Sequence, residues 1–217
     1  MNELTLTQLK MEAQHFARLL SATPIPALYG VTDGKAVGTH IEQTFREYLF
    51  ERYNPIAGNA ASGIDLPALE VDIKATSIRQ PQSSCPFRDA SQKVYGLGYH
   101  LLVFVYEKLD QHDVQAAQLN IQHTIFIARE RTADYQTTYG LRGILSRNGD
   151  KADVVAFLVE RNLPLDEIGC DTLAERIMRE PPEIGYLTVS NALQWRLQYG
   201  RAVGVAGTLE GVENLLA

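Results

Sequence analysis

Cysteine is scarce in this chain: Cys85 and Cys170 stand far apart, in no metal-ligand spacing. That argues against a disulfide-stapled scaffold and against a thiolate zinc site, and fits free thiols in a reducing compartment, hence the cytoplasm. Long apolar runs are also missing. The longest, around Leu101 to Tyr106, falls far short of a membrane span and has the length of a buried strand. Met1-Asn2-Glu3-Leu4 lacks the charged-then-apolar order of a secretion signal. There are no repeats, low-complexity tracts or long linkers, so a single domain over residues 1–217 is expected, and that length suffices for one full core. A basic excess is absent too. The net charge of −6 runs against the usual surface of a nucleic-acid binder. The acidity is concentrated, however. Asp153, Glu160, Asp166, Glu167, Asp171, Glu175, Glu180 and Glu183 are opposed only by Arg161, Arg176 and Arg179, so residues 153–183 alone carry −5. The remainder is nearly neutral, and attraction to a polyanion depends on local complementarity.

What is present centres on Gly63-Ile64-Asp65-Leu66-Pro67-Ala68-Leu69-Glu70-Val71-Asp72-Ile73-Lys74. From Leu69 onward charged and apolar residues alternate with period two, which predicts a strand with Glu70, Asp72 and Lys74 on one face and Val71, Ile73 and Ala75 on the other. Charges in a row are costly to bury unpaired, so that face is either solvated or its groups serve one another and a metal. Asp65 sits between a Gly and a Pro, where a turn can carry its carboxylate back toward Asp72. Two carboxylates beside an ammonium suit a hard divalent cation that takes oxygen ligands and keeps waters for substrate.

Asp65, six intervening residues and Asp72-Ile73-Lys74 resemble the Asp…(Asp/Glu)-x-Lys signature of the PD-(D/E)xK nuclease superfamily. Ser62-Gly63-Ile64-Asp65-Leu66-Pro67 with Val71-Asp72-Ile73-Lys74-Ala75-Thr76-Ser77 is similar to type II restriction endonucleases, although Ile64 stands where Pro is common. The resemblance covers roughly residues 34 to 107. It implies an α/β fold: a restriction-endonuclease-like mixed β-sheet core flanked by helices (about 34–128), with a helical C-terminal elaboration (about 150–200). It also implies Mg2+, with Mn2+ able to substitute, held by Asp65, Asp72 and the Ile73 carbonyl. Lys74 would polarise the attacking water. The products would carry 5′-phosphates, and a homodimer would cut a short, palindromic site in double-stranded DNA. A structure-specific repair or recombination nuclease of the same superfamily, and a non-catalytic DNA-binding protein on a nuclease fold, are the alternatives.

Helices are expected over residues 5–21, with stripe Leu6, Leu9, Ala13, Phe16, Ala17 and Leu20, and over Lys35 to Arg52, with stripe Ile41, Phe45, Tyr48 and Leu49. Glu42 on the second helix either pairs with Arg46 or aims at the metal site, as an acidic residue does in related nucleases. Gly38 would let this helix pack closely on another element. Glu70 either reaches metal through water or is surface. After Lys74, a polar loop carries Arg79, Gln80, Gln82 and Arg88; either Arg forks onto guanine and Gln onto adenine, or they hold phosphates, or the loop is simply solvated. Gln92 and Lys93, on a short helix over Asp89–Leu97, face phosphate or solvent. Tyr99–Tyr106 reads as a central strand. Leu119–Ala128 reads as another, with His123 on the face of Ile121, Ile125 and Ile127. Between 129 and 151, Arg142 and Arg147 lie near Gln136 and several tyrosines in what reads as either a DNA-facing loop or a charged surface loop. Helices follow over Val154–Val159, from Asp171 through Met178, and from Thr188 or Ser190 to about Tyr199; the last carries Leu193, Gln194 and Trp195.

Overall fold

The computed structural model describes residues 3–53, 63–190 and 196–216. The small, polar stretch Asn54–Gly63 reads as a loop in the sequence; all of it but Gly63, together with Leu193, Gln194 and Trp195, lies outside the described residues. Along the chain run α1 (Leu6–Ala22), α2 (Gly34–Phe50), β1 (Val71–Ser77), β2 (Gln82–Ser84), α3 (Ser91–Tyr95), β3 (His100–Gln111), β4 (Ala116–Ile127), α4 (Tyr135–Ser146), α5 (Lys151–Glu160), α6 (Glu167–Arg179), β5 (Thr188–Val189), β6 (Arg196–Gln198), α7 (Gly200–Val205) and β7 (Val212–Asn214). The chain divides into two compact units. One holds residues 1–83, 100–127 and 202–217, the other 84–99 and 128–201.

In the first unit a four-stranded mixed sheet has the order β1-β3-β4-β7. The first pair is parallel and the other two are antiparallel. This is the mixed, helix-flanked α/β core expected from the sequence. Helix α1 starts at a capping box: the Thr5 hydroxyl accepts the Gln8 N–H, and the Gln8 side chain accepts the Thr5 N–H. Its buried face of Leu9, Ala13, Phe16, Ala17 and Leu20 packs on β4, while α2 packs on β1. Phe16, Phe45 and Phe104 join α1, α2 and β3, with ring centroids 4.9–5.6 Å apart. Truncating any one of them to Ala is expected to cost about 3–5 kcal/mol.

Strand β3 is buried from Leu101 to Tyr106, as a run without polar alternation should be. Its pairing with β4 shifts register at Val105/Tyr106, which face His123 and Ile121. Gln122 is therefore a bulge residue, and His123 shares a face with Ile125 and Ile127 but not with Ile121. The expected uninterrupted alternation breaks there because one extra residue inverts the pleat.

The second unit has its own core of Ala90, Val94, Leu141, Val154, Leu158, Leu163, Cys170, Leu173, Ala174 and Ile177. Three expectations are corrected here. The segment read as a loop after residue 129 is largely helix α4, because Asp134 caps it by accepting the Thr137 N–H at 2.9 Å. Helix α6 starts at Asp166, not Asp171; the Asp166 carboxylate takes the Gly169 N–H at 2.7 Å, and Asp171 lies within the helix, bound to Lys151. The helix expected up to Tyr199 is instead the antiparallel pair β5 and β6 among the described residues. Leu197 and Tyr199 are buried while Arg196 and Gln198 are half-buried, an alternation of period two. Asp134 also ties that strand pair to α4: its second oxygen accepts the Val189 N–H at 2.9 Å. Gly185 passes so close to the Ala133 carbonyl that a Cβ would sit 2.1 Å from its oxygen.

Candidate active site

Strand β1 lies at the edge of its sheet, so half of its backbone N–H groups face away from β3 and need acceptors. The Glu70 carbonyl accepts the His100 N–H, which sets the phase: even-numbered peptides face β3 and odd-numbered ones face outward. The outward donors are met by the chain's own acceptors. Val71 N–H goes to the Leu66 carbonyl at 3.2 Å. Ile73 N–H goes to Asp65 Oδ2 at 3.0 Å, and Ala75 N–H to Glu42 Oε1 at 2.9 Å. Two carboxylates are thus fixed along one strand edge, flanking Lys74.

Each reaches that edge for a local reason. Leu66 bridges to Val71, and a single 3-10 turn over Pro67–Leu69 folds the chain back, so the residue before Leu66 hangs over Ile73. This is the turn that the Gly-x-Asp-x-Pro spacing predicts. Glu42 is delivered by Gly38, one turn earlier on α2. A Cβ at Gly38 would lie 3.1 Å from the Ala75 carbonyl oxygen, so the missing side chain lets the helix lie against β1. The close packing expected of Gly38 is therefore present, and its neighbour is β1, the strand that carries Asp72 and Lys74.

Asp72 projects from β1, is 4% exposed, and pairs with Lys74 at 2.6 Å. Burial pushes its carboxyl up to about 6; the Asp65 carboxyl, close enough to hydrogen-bond, pushes the same way, and Lys74 opposes both. Burial also raises Glu42 above the usual carboxylate range, against the Ala75 N–H and Lys74, with Asp65 and Asp72 adding repulsion. Lys74 Nζ also donates to the Ile73 carbonyl at 3.2 Å. Glu42, Asp65, Asp72, Ile73 and Lys74, picked out from sequence, thus come together. Glu70, expected on the same strand face, instead precedes the strand: it adopts a left-handed conformation (φ 53°) that ends the 3-10 turn, and it is exposed.

A family model for the type II restriction enzyme NspV matches residues 3–214. The type II restriction enzyme NspV of Nostoc sp. is 58% identical over 212 residues, covering 98% of this chain and 96% of that protein. This chain belongs to the NspV family of type II restriction enzymes. No solved structure matches it. The type II restriction endonuclease read from the Asp65–Lys74 stretch is therefore the family to which the chain belongs.

The side chains of this restriction enzyme expected to meet DNA fall in both units. Arg79 and Gln80 are exposed on the turn after β1, and Gln82 is half-buried at the start of β2. Sequence reading passed over Thr76, two residues past Lys74, which holds that turn: its hydroxyl accepts the Gln82 N–H at 2.9 Å and faces the Gln80 and Gln82 carbonyls. Arg88 is exposed. Lys93, expected to face phosphate or solvent, is 3% exposed, and burial lowers its ammonium below the usual lysine range. Exposed Gln136 accepts from Arg161 at 3.3 Å. Arg142 and Arg147 line an open cavity of about 670 Å³ in the second unit, with Tyr139, Ser146, Pro181 and Ile184. Also missed was Arg46. It pairs with Asp65 at 2.9 Å, not with Glu42, because Glu42 is drawn to the strand edge. Both cysteines are free, and among the described residues no helix is long and apolar enough to cross a membrane.

Proposed function

We propose that this type II restriction enzyme hydrolyses phosphodiester bonds of double-stranded DNA at the edge of β1, with Mg2+ held by Asp65, Asp72 and the Ile73 carbonyl. The observation that carries the reading is that one strand edge gathers Asp65, Asp72 and Glu42 around Lys74. Among the described residues no three His, Cys, Asp or Glu side chains are arranged as a closed metal cluster. An all-protein cage is not what Mg2+ uses, however: one or two carboxylates with waters and substrate oxygens suffice. The donor chemistry fits. Two mutually repelling carboxylates, one pushed up to about 6, are groups that a hard dication would relieve. When bound, the ion supplies Lewis-acid activation of water and of the scissile phosphate.

The chain's own residues do the rest. Asp65 is oriented by the Ile73 N–H and Asp72 by Lys74. Lys74 orients the attacking water and neutralises charge gathering on the phosphorane-like transition state. Glu42 is the third carboxylate of the site. Arg142 and Arg147 supply phosphate contacts in the second unit; their guanidiniums have no carboxylate partner among the described residues, whereas Arg129, Arg131, Arg176 and Arg179 each have one. Arg79, Gln80, Gln82, Arg88 and Gln136 supply further DNA contacts. The reading includes 5′-phosphate products, Mn2+ as a substitute ion, and a homodimer, since cutting both strands of a two-fold site is most simply done by a two-fold protein. Two free thiols support a cytoplasmic setting.

The test is digestion of phage DNA with purified protein and Mg2+, followed by sequencing of the ends. Discrete fragments with one shared terminal sequence are expected, and none from Asp72→Asn or Lys74→Ala. Random ends, or cleavage by either variant at the wild-type rate, would reject the reading.

A further inference from the structure

We propose that Arg46 is a resident counterion of Asp65 that a divalent cation must displace, so that this restriction enzyme binds metal weakly until DNA is present. The inference rests on the metal assignment above. The two oxygens of Asp65 are held differently. Oδ2 is fixed by the Ile73 N–H at 3.0 Å, a backbone group of a strand. Oδ1 is held by the Arg46 guanidinium at 2.9 Å, a side chain reaching from α2. An ion taking Asp65 competes with that guanidinium for the same oxygen.

Charge decides which group yields. Without metal, the acids Glu42, Asp65 and Asp72 are opposed by two cations, Arg46 and Lys74, which leaves about one negative charge when all are ionised. A dication brings the site past neutrality, and like charges a few ångströms apart in a half-buried site are costly. Lys74 is tied twice, to Asp72 at 2.6 Å and to the Ile73 carbonyl at 3.2 Å, and its side chain is 22% exposed. Arg46 has Asp65 as its one hydrogen-bonded partner among the described residues, and its side chain is 35% exposed. Arg46 is therefore the cation that leaves. Substrate phosphates add the negative charge that makes a dication and a nearby guanidinium tolerable together, so metal and DNA favour each other's binding.

The experiment measures Mn2+ affinity of DNA-free protein by electron paramagnetic resonance, for wild type, Arg46→Met and Arg46→Lys. Met keeps the length of the stem without the charge, and Lys keeps the charge. Arg46→Met should bind Mn2+ more tightly, on the order of tenfold, and Arg46→Lys should stay near wild type. No duplex is needed for this readout, which is independent of cleavage. Equal or weaker Mn2+ binding by Arg46→Met would overturn the proposal and make Arg46 a strut that orients Asp65. Failure of both proteins to bind Mn2+ would overturn it too, since removing a competitor must uncover the site. Thermal melts of both variants verify folding, and if Arg46→Met is unfolded, tighter binding than wild type by Arg46→Lys would reject the counterion role. The underlying site assignment is judged separately, by whether Asp72→Asn still cleaves DNA.

Discussion

Replacing Asp72 by Asn should stabilise the metal-free protein while abolishing cleavage. Asp72 is 4% exposed, and its carboxyl is pushed up to about 6 from an ordinary value of 3.8, by burial first and by Asp65 second, even with Lys74 at 2.6 Å. The sign follows from linkage. A carboxyl raised by folding binds its proton more tightly in the folded state, so its favourable contribution is full below about 3.8 and is lost as pH rises through about 6. At neutral pH the ionised group therefore costs about 3 kcal/mol, at roughly 1.4 kcal/mol per pH unit. Asn removes that charge at nearly constant volume, and Lys74, released from Asp72, can turn to solvent. A gain of about 1–3 kcal/mol at pH 7.5 is expected, or roughly 2–10 °C in melting temperature for a chain of this size. At pH 5, where the wild-type group is mostly protonated in the folded state, the gain should fall to about half. The assay is thermal unfolding of both proteins in EDTA at pH 7.5 and pH 5. Destabilisation by Asp72→Asn, or a gain that does not shrink at pH 5, would refute the argument that this acid is held in place against the stability of the fold.

Gly38→Ala, which would ordinarily strengthen a helix by about 1 kcal/mol, should instead leave stability no higher and lower cleavage at least tenfold, because its methyl would push α2 from the Ala75 carbonyl and carry Glu42 with it; cleavage rates and melts decide. Asp134→Ala should destabilise the protein by about 2–4 kcal/mol, since it removes a helix cap and leaves the buried Val189 N–H unpaired; chemical denaturation measures this, and a loss under 1 kcal/mol contradicts it. The double change Arg142→Ala and Arg147→Ala should weaken binding to specific and unrelated duplexes alike and reduce the slope of log affinity against log salt by about 2. A loss confined to one sequence would instead make them base readers.

The elements that carry their own local signal were legible in the sequence. Helix α1 has its stripe, β3 its unbroken apolar run, and β1 its alternation with a turn before it. Asp65, Asp72, Lys74 and Glu42 converge along β1, and their candidacy was legible because edge-strand chemistry and a short motif coincide. Glu70 was misplaced because the same alternation continues one residue beyond the strand, and nothing in the sequence marks the left-handed residue that ends it. The partner of Arg46 was illegible for a different reason. Four-residue spacing pairs it with Glu42, while the contact that wins spans from α2 to the turn before β1. The β5–β6 pair was mistaken for a helix although Leu197 and Tyr199 alternate with Arg196 and Gln198 at period two, a strand pattern already present in the sequence, and the capping role of Asp134 depends on a strand far along the chain.

The most direct measurement is diffraction from crystals grown with duplex DNA and Mn2+, recorded where manganese scatters anomalously. The account predicts an anomalous peak about 2.1–2.3 Å from carboxylate oxygens of both Asp65 and Asp72, with Lys74 Nζ facing the scissile phosphate. A peak bound by other residues, or none on the outer edge of β1, would contradict it.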